Sequence, residues 1–259
     1  MSGERRPGEA AEGAEGAAEG AAEAAGAAEA EGAAEAHPNA FVLDTRRSAW
    51  YVAARLIFHA IVGSWFRPVV RGRDHVPQEG PAILAPVHRS FADFAFSAFL
   101  TRRKLFFVAK EELWASKPLG RLLTSLGVFP VHRGGADREA LRRAEEVLDR
   151  GQLLVLFPEG TRRAGPTVRD LHEGAAFLAA RTGAPIVPIG IGGSDVAMPK
   201  GRRVPRPLRI RVVAGAPLDP PERTATGRVP RRNLHVASEA LCQAMQDAYD
   251  EARREFEGG

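Results

Sequence analysis

The chain has 259 residues and a formal net charge of +4 that is shared unevenly along it. Residues 1–39 hold 15 Ala, 9 Glu and 7 Gly and no large aliphatic or aromatic side chain after Met1, so they cannot build a core; residues 40–259 carry enough Leu, Ile, Val, Phe and Trp for one buried domain. The single cysteine, Cys242, excludes an intrachain disulfide framework and any multi-cysteine zinc site and fits a reducing cytosol, and no run of about 18 consecutive apolar residues offers a membrane span.

The first segment, 1–39, reads as a disordered, solvated acidic tail. Nine Glu against Arg5 and Arg6 leave it at −7, and its Gly-interrupted Ala/Glu runs have no apolar anchor. It lacks the basic-then-apolar order of a signal peptide. The body, with 34 basic and 23 acidic residues, is left at +11. So basic a body wants an anionic partner: nucleic acid, a phosphorylated small molecule or an anionic membrane surface. From Asp44 to Phe66, the residues Trp50, Leu56, Ile57, Ile61, Trp65 and Phe66 recur at roughly helical spacing around Arg46, Arg47, Arg55 and His59, which predicts an amphipathic helix over 44–66. Such a helix either dips into a lipid headgroup layer or packs on its own domain.

Beyond it, short apolar runs predict strands at 81–86, 104–109, 126–131, 153–157, 184–191 and 208–214. Between them, helical patterns fall at about 91–102, 117–125, 137–150 and 170–182, with a last helix at about 233–256 that holds Cys242. The segments 197–207 and 217–232, rich in Pro and Arg, read as surface loops. The fold class is α/β: a single domain, 40–259, with a mainly parallel central sheet flanked by helices.

Three strand ends carry chemistry. In APVHRSFADF, His88 and Asp93 lie five positions apart, which on a continuous helix would turn them about 140° away from each other, so His88 must precede the helix. Ser90 as N-cap with Asp93 at N3 makes a capping box, and that alone explains both residues. The same geometry also lets Asp93 accept a hydrogen bond from one ring nitrogen of His88 and leave the other as a base for a hydroxyl. No Ser or Cys stands in a G-x-S-x-G setting, so the hydroxyl belongs to a substrate. In LLVLFPEGTRRAG, a buried strand opens at Pro158 into Glu159, Gly160, Thr161, Arg162 and Arg163: an anion clamp at a sheet edge, or an ordinary Gly turn with surface arginines. GVFPVHRGG likewise ends a strand in His132, Arg133 and two glycines.

In order and spacing, HRSFAD (88–93), GVFPVHR (127–133), FPEGTRR (157–163) and APIVPIGIGG (184–193) resemble the four motif blocks of the glycerolipid acyltransferases, closest to the 1-acylglycerol-3-phosphate (lysophosphatidic acid) acyltransferases. The resemblance spans about 70–215. It implies acyl transfer from acyl-CoA or acyl carrier protein to the free sn-2 hydroxyl of a lysophospholipid, with no covalent acyl-enzyme, no metal and no cofactor beyond that co-substrate. It makes His88 the general base and Asp93 its orienting carboxylate. It puts Arg133 and Arg162 on the acceptor's phosphate and Glu159 on the glycerol backbone, with Gly160 and Thr161 as further substrate-binding positions of the same block. Pro188 then falls on the acyl-donor side, and Lys110, in AKEEL, becomes a further contributor. His132 stands where the family often has an acidic or polar residue, which bears on the acceptor headgroup. Oxyanion donors are expected among the backbone N–H groups near Ser90, at the positive end of the helix.

The implied partners are a lysophospholipid, an acyl thioester and a membrane surface, with the protein peripheral on the cytoplasmic side. One alternative keeps the enzyme and changes the acceptor to another lysophospholipid or hydroxyl lipid. The other is a basic nucleic-acid-binding module; against it, the strands show no aromatic-and-basic RNA-binding signature and no helix-turn-helix or zinc spacing.

Overall fold

A computed structural model describes residues 49–131, 138–199, 202, 204–224 and 226–259. The acidic segment 1–39, the first residues of the helix expected at 44–66, and His132 and Arg133 lie outside the described residues.

The chain opens with helix α1 (Ala49–Phe66), then strand β1 (Val69–Arg71), β2 (Ala82–Pro86), the short helix α2 (Asp93–Ser97) and β3 (Leu105–Lys110). Next come α3 (Lys117–Ser125), β4 (Val128–Val131), α4 (Arg138–Asp149), β5 (Leu153–Val155) and α5 (Gly174–Thr182). The chain closes with β6 (Ile186–Gly192), α6 (Ser194–Ala197), β7 (Arg211–Ala214) and the long α7 (Arg231–Glu257). Among the described residues the strands form a seven-stranded sheet in the order β1-β7-β6-β2-β5-β3-β4, in which only the β6–β7 pair is antiparallel. The α/β class and the mainly parallel sheet flanked by helices are therefore present.

The central strands are buried along their whole length, as their unbroken apolar runs require of a sheet covered on both faces. Helix α5 touches α4 and α7, so these three form one layer, with α7 lying along β6 and β7. The approach of α7 is permitted by Gly190 and Gly192, where a Cβ would collide with the Ala248 and Ala252 carbonyls.

Two expectations change. The sequence reading had no strand at 69–71; Val69-Val70-Arg71 pairs with β7 at a sheet edge, too short and too exposed to leave an apolar run. The helix expected over 91–102 is confined to Asp93–Ser97. Past Ser97 the N–H groups of Phe99 and Leu100 bond three residues back, in tighter turns, while the Ala98 and Thr101 carbonyls accept the Arg55 guanidinium of α1. The α5 helix likewise starts at Gly174 rather than near 170, after Asp170 takes a left-handed φ of 55°.

Helix α1 inverts the usual pattern. Arg55 turns inward to those carbonyls, the His59 ring sits 4.3 Å from Phe99, and Tyr51 and Phe66 are buried. Trp50, Leu56, Ile57, Ile61 and Trp65 point outward, all at least 45% exposed. Contrary to the reading of the sequence, this 18-residue helix is long and apolar enough to cross a membrane by length and composition, Arg55 and His59 notwithstanding.

Candidate active site

The chain leaves β2 toward β3 on one side and leaves the adjacent β5 toward β6 on the other. The carboxyl ends of parallel strands are where α/β sheets bind ligands. His88 follows β2 at that point, and Glu159 follows β5.

His88 lies outside any helix or strand, as the five-residue spacing required, and its Nδ1 sits 3.1 Å from Asp93 Oδ2. A carboxylate only accepts, so Nδ1 carries the proton and Nε2 keeps its lone pair for a substrate hydroxyl. The ring rests against Phe157, centroids 4.3 Å apart, and the side chain is 19% exposed, within reach of a ligand. Asp93 is fully buried. Its Oδ2 also accepts the backbone N–H groups of Arg89 and Ser90, each at 2.6 Å, while Oδ1 has no partner among the described residues. The capping box is half formed: Asp93 reaches back to the Ser90 N–H, but the Ser90 hydroxyl accepts from Ala92 N–H and donates to the Met198 carbonyl. Of the N–H groups near Ser90 expected to meet an oxyanion, those of Arg89 and Ser90 are spent on Asp93 itself.

The loop after β5 grips the His88 backbone from both sides. Glu159 Oε2 accepts the His88 N–H at 2.8 Å, and the Arg163 N–H donates to the His88 carbonyl at 2.8 Å. Glu159 is wholly buried, and both its oxygens take Arg89 Nη1, at 2.7 and 2.8 Å. Gly160 turns the loop at φ 63°, with the His172 ring where a Cβ would stand. Thr161 and Arg162 are exposed at its tip, and Arg163 Nη1 lies 3.4 Å from Asp170.

Of the residues singled out in the sequence, His88, Asp93, Glu159 and Gly160 thus come together, and Thr161 and Arg162 adjoin them. Lys110 ends β3 beside Val131; its backbone alone is described. Pro188 sits mid-strand and pairs with Ala85. Sequence reasoning missed Arg89. The signal available was Glu159 itself: a carboxylate next to a buried strand needs a cation, and Arg89 is the one beside the histidine. Cys242 is no nucleophile here: its thiol donates to the Val168 carbonyl, and burial, reinforced by the Glu159 and Asp170 carboxylates, pushes its pKa up.

Residues 67–192 match the family model described as Acyltransferase. The chain is 27% identical over 169 residues to the chloroplastic 1-acyl-sn-glycerol-3-phosphate acyltransferase BAT2 of Brassica napus, covering 64% of this chain and 49% of that one. It is 23% identical over 189 residues to the 1-acyl-sn-glycerol-3-phosphate acyltransferase of Bacillus subtilis (strain 168), covering 73% and 87%. The chain spans about half the length of the Brassica napus and Arabidopsis thaliana relatives. The crystal structure of the 1-acyl-sn-glycerophosphate (LPA) acyltransferase PlsC from Thermotoga maritima shares the fold, with a TM-score of 0.62 at 24% identity over 79% of this chain and 83% of that one.

Proposed function

We propose, from the match of residues 67–192 to the Acyltransferase family model, that the chain moves a fatty acyl chain from a thioester donor to the sn-2 hydroxyl of lysophosphatidic acid, giving phosphatidic acid. The observation that carries the reading is the His88–Asp93 hydrogen bond beyond the carboxyl end of β2, beside the loop that follows β5. The Brassica napus and Bacillus subtilis relatives, named for 1-acyl-sn-glycerol-3-phosphate, support the acceptor.

The step is base-assisted. His88 Nε2 takes the hydroxyl proton as the oxygen attacks the thioester carbonyl; the new C–O bond forms, the C–S bond breaks, and the imidazolium returns the proton to the departing thiolate of acyl-CoA or acyl carrier protein. The Asp93 carboxylate steadies the imidazolium in between, with its charge held in place by three N–H donors. Arg162, with Thr161 at the exposed tip of the β5 loop and Gly160 shaping its turn, is suited to the acceptor's phosphate, and Arg133 and Lys110 complete that side in this reading. Positioning by such cations supplies rate without new covalent chemistry. The outward apolar row of α1 supports a seat on a membrane surface, which this reading takes as peripheral and cytoplasmic.

The test is thiol release from an acyl thioester with and without lysophosphatidic acid, the lipid product being identified by mass. Release that requires the acceptor and yields phosphatidic acid is the expected result; release indifferent to it removes the proposal. His88→Ala is expected to lower turnover by about 10²–10⁴-fold with unfolding unchanged, and wild-type turnover in that variant would displace the base.

A further inference from the structure

The segment that matches the family ends at Gly192, yet the loop carrying His88 is braced from beyond it. Arg89 is almost fully buried; its two terminal nitrogens are paired, while its Nε has no partner among the described residues. Nη1 holds both oxygens of Glu159 and lies 3.3 Å from the His88 carbonyl, and Nη2 donates to the Thr167 carbonyl at 3.1 Å. Above the guanidinium lies the ring of Tyr249, from the middle of α7, with its centroid 4.9 Å from Arg89 Cζ. Tyr249 is itself buried, and burial together with the Asp195 carboxylate pushes its phenol pKa up, so the ring stays a neutral lid over the cation.

We infer that Arg89, gripped by Glu159 and covered by Tyr249, is a positioning residue that sets the orientation of the His88 ring, which makes α7 part of the machinery of the site. The chain of contacts is short. Arg89 fixes where the Glu159 carboxylate sits; that carboxylate fixes the His88 N–H; and the Arg89 N–H shares Asp93 Oδ2 with the His88 ring. A guanidinium does this where an ammonium would not, because its planar fork reaches the carboxylate and a carbonyl at once while keeping a face for the aromatic ring. All three side chains are buried, and the Glu159 carboxylate that the family resemblance put on the glycerol backbone is taken up by Arg89 and the His88 N–H, so their effect is assigned to His88.

The inference rests on His88 acting as the base of the proposed transfer, and two measurements separate the two. The first follows the His88 Nδ1–H resonance by NMR, without substrate, in the wild type, Tyr249→Leu, Arg89→Lys and Glu159→Gln. The groups bearing on that ring are Asp93 directly, and Arg89, Glu159 and Arg163 through the backbone. A loosened ring loses part of its hydrogen bond to Asp93, so this downfield resonance is expected to move upfield or broaden away in all three variants. The second measures kcat and KM: kcat is expected to fall by about 10- to 100-fold, as for a displaced catalytic group, with the acceptor KM within about 2-fold. Tyr249→Leu, which leaves the ion pair in place, keeps the test open if the other two unfold. An unchanged Nδ1–H resonance and kcat in folded Tyr249→Leu, with a lowered Tm only, overturns the inference. A shifted resonance in a protein whose wild type transfers no acyl group to lysophosphatidic acid upholds it and removes the acceptor reading instead.

Discussion

Asp93 and Glu159 are both fully buried carboxylates within one loop-to-loop contact, and they are neutralised differently. Asp93 is held by N–H donors and keeps one oxygen without a partner among the described residues, so its charge bears on the His88 ring. Glu159 is discharged by Arg89. Removing one member of such a buried pair strands the other, and Arg89→Met is expected to cost about 3–5 kcal/mol of stability. Arg89→Met with Glu159→Gln removes both charges, and chemical denaturation should find most of that loss recovered; a double variant no more stable than the single one would mean that the pair is not what fails. Tyr249 makes a separate, pH-dependent prediction. Its phenol pKa is raised in the fold, so the folded chain holds its proton after the unfolded chain has released it. The stability due to this group is full below the ordinary phenol value of about 10 and is lost as pH rises toward the folded value. Denaturation at pH 8 to 11 should therefore show a steeper decline for the wild type than for Tyr249→Phe, and parallel slopes would contradict it.

The helices divide by what their outer faces meet. Helix α7 spends its small and aromatic residues on the sheet, and the glycines of β6 are where its backbone comes closest. Helix α1 spends its polar residues inward and its large aliphatic and indole side chains outward, the opposite of a helix that covers a core. Of the two sequence readings, burial against its own domain accounts for Tyr51, Arg55, His59 and Phe66, and the membrane reading accounts for the rest. Replacing Leu56, Ile57 and Ile61 with Ser, all outward and mostly exposed, is expected to leave Tm nearly unchanged and to abolish co-flotation with neutral lipid vesicles. Retained flotation would assign the membrane contact elsewhere.

The whole molecule carries its charge asymmetrically, with +11 beyond residue 39. A basic body meeting an anionic bilayer gains about 1 kcal/mol per cation at the surface, screened over a Debye length of about 8 Å at physiological salt. Binding to vesicles with a third of anionic lipid should weaken markedly between 50 and 500 mM salt, and binding to neutral vesicles should change little. Equal salt responses would mean that the apolar row of α1, and not the charge, governs attachment. The site is likewise a property of the whole sheet: β2 and β5 pair as parallel neighbours, which brings residues 88 and 159 together from 71 positions apart.

Local pattern was enough for much of this. The apolar runs predicted six of the seven strands and the parallel class, because strands buried on both faces must be apolar throughout; the five-residue step from His88 to Asp93 predicted a histidine ahead of a helix, because helical geometry forbids the alternative. Strand order, the edge strand at Val69, the truncation of α2 by Arg55, and the pairing of Arg89 with Glu159 beneath Tyr249 were not legible there. Each depends on which distant segment supplies a partner, and periodicity along a chain records which face is buried but not what buries it.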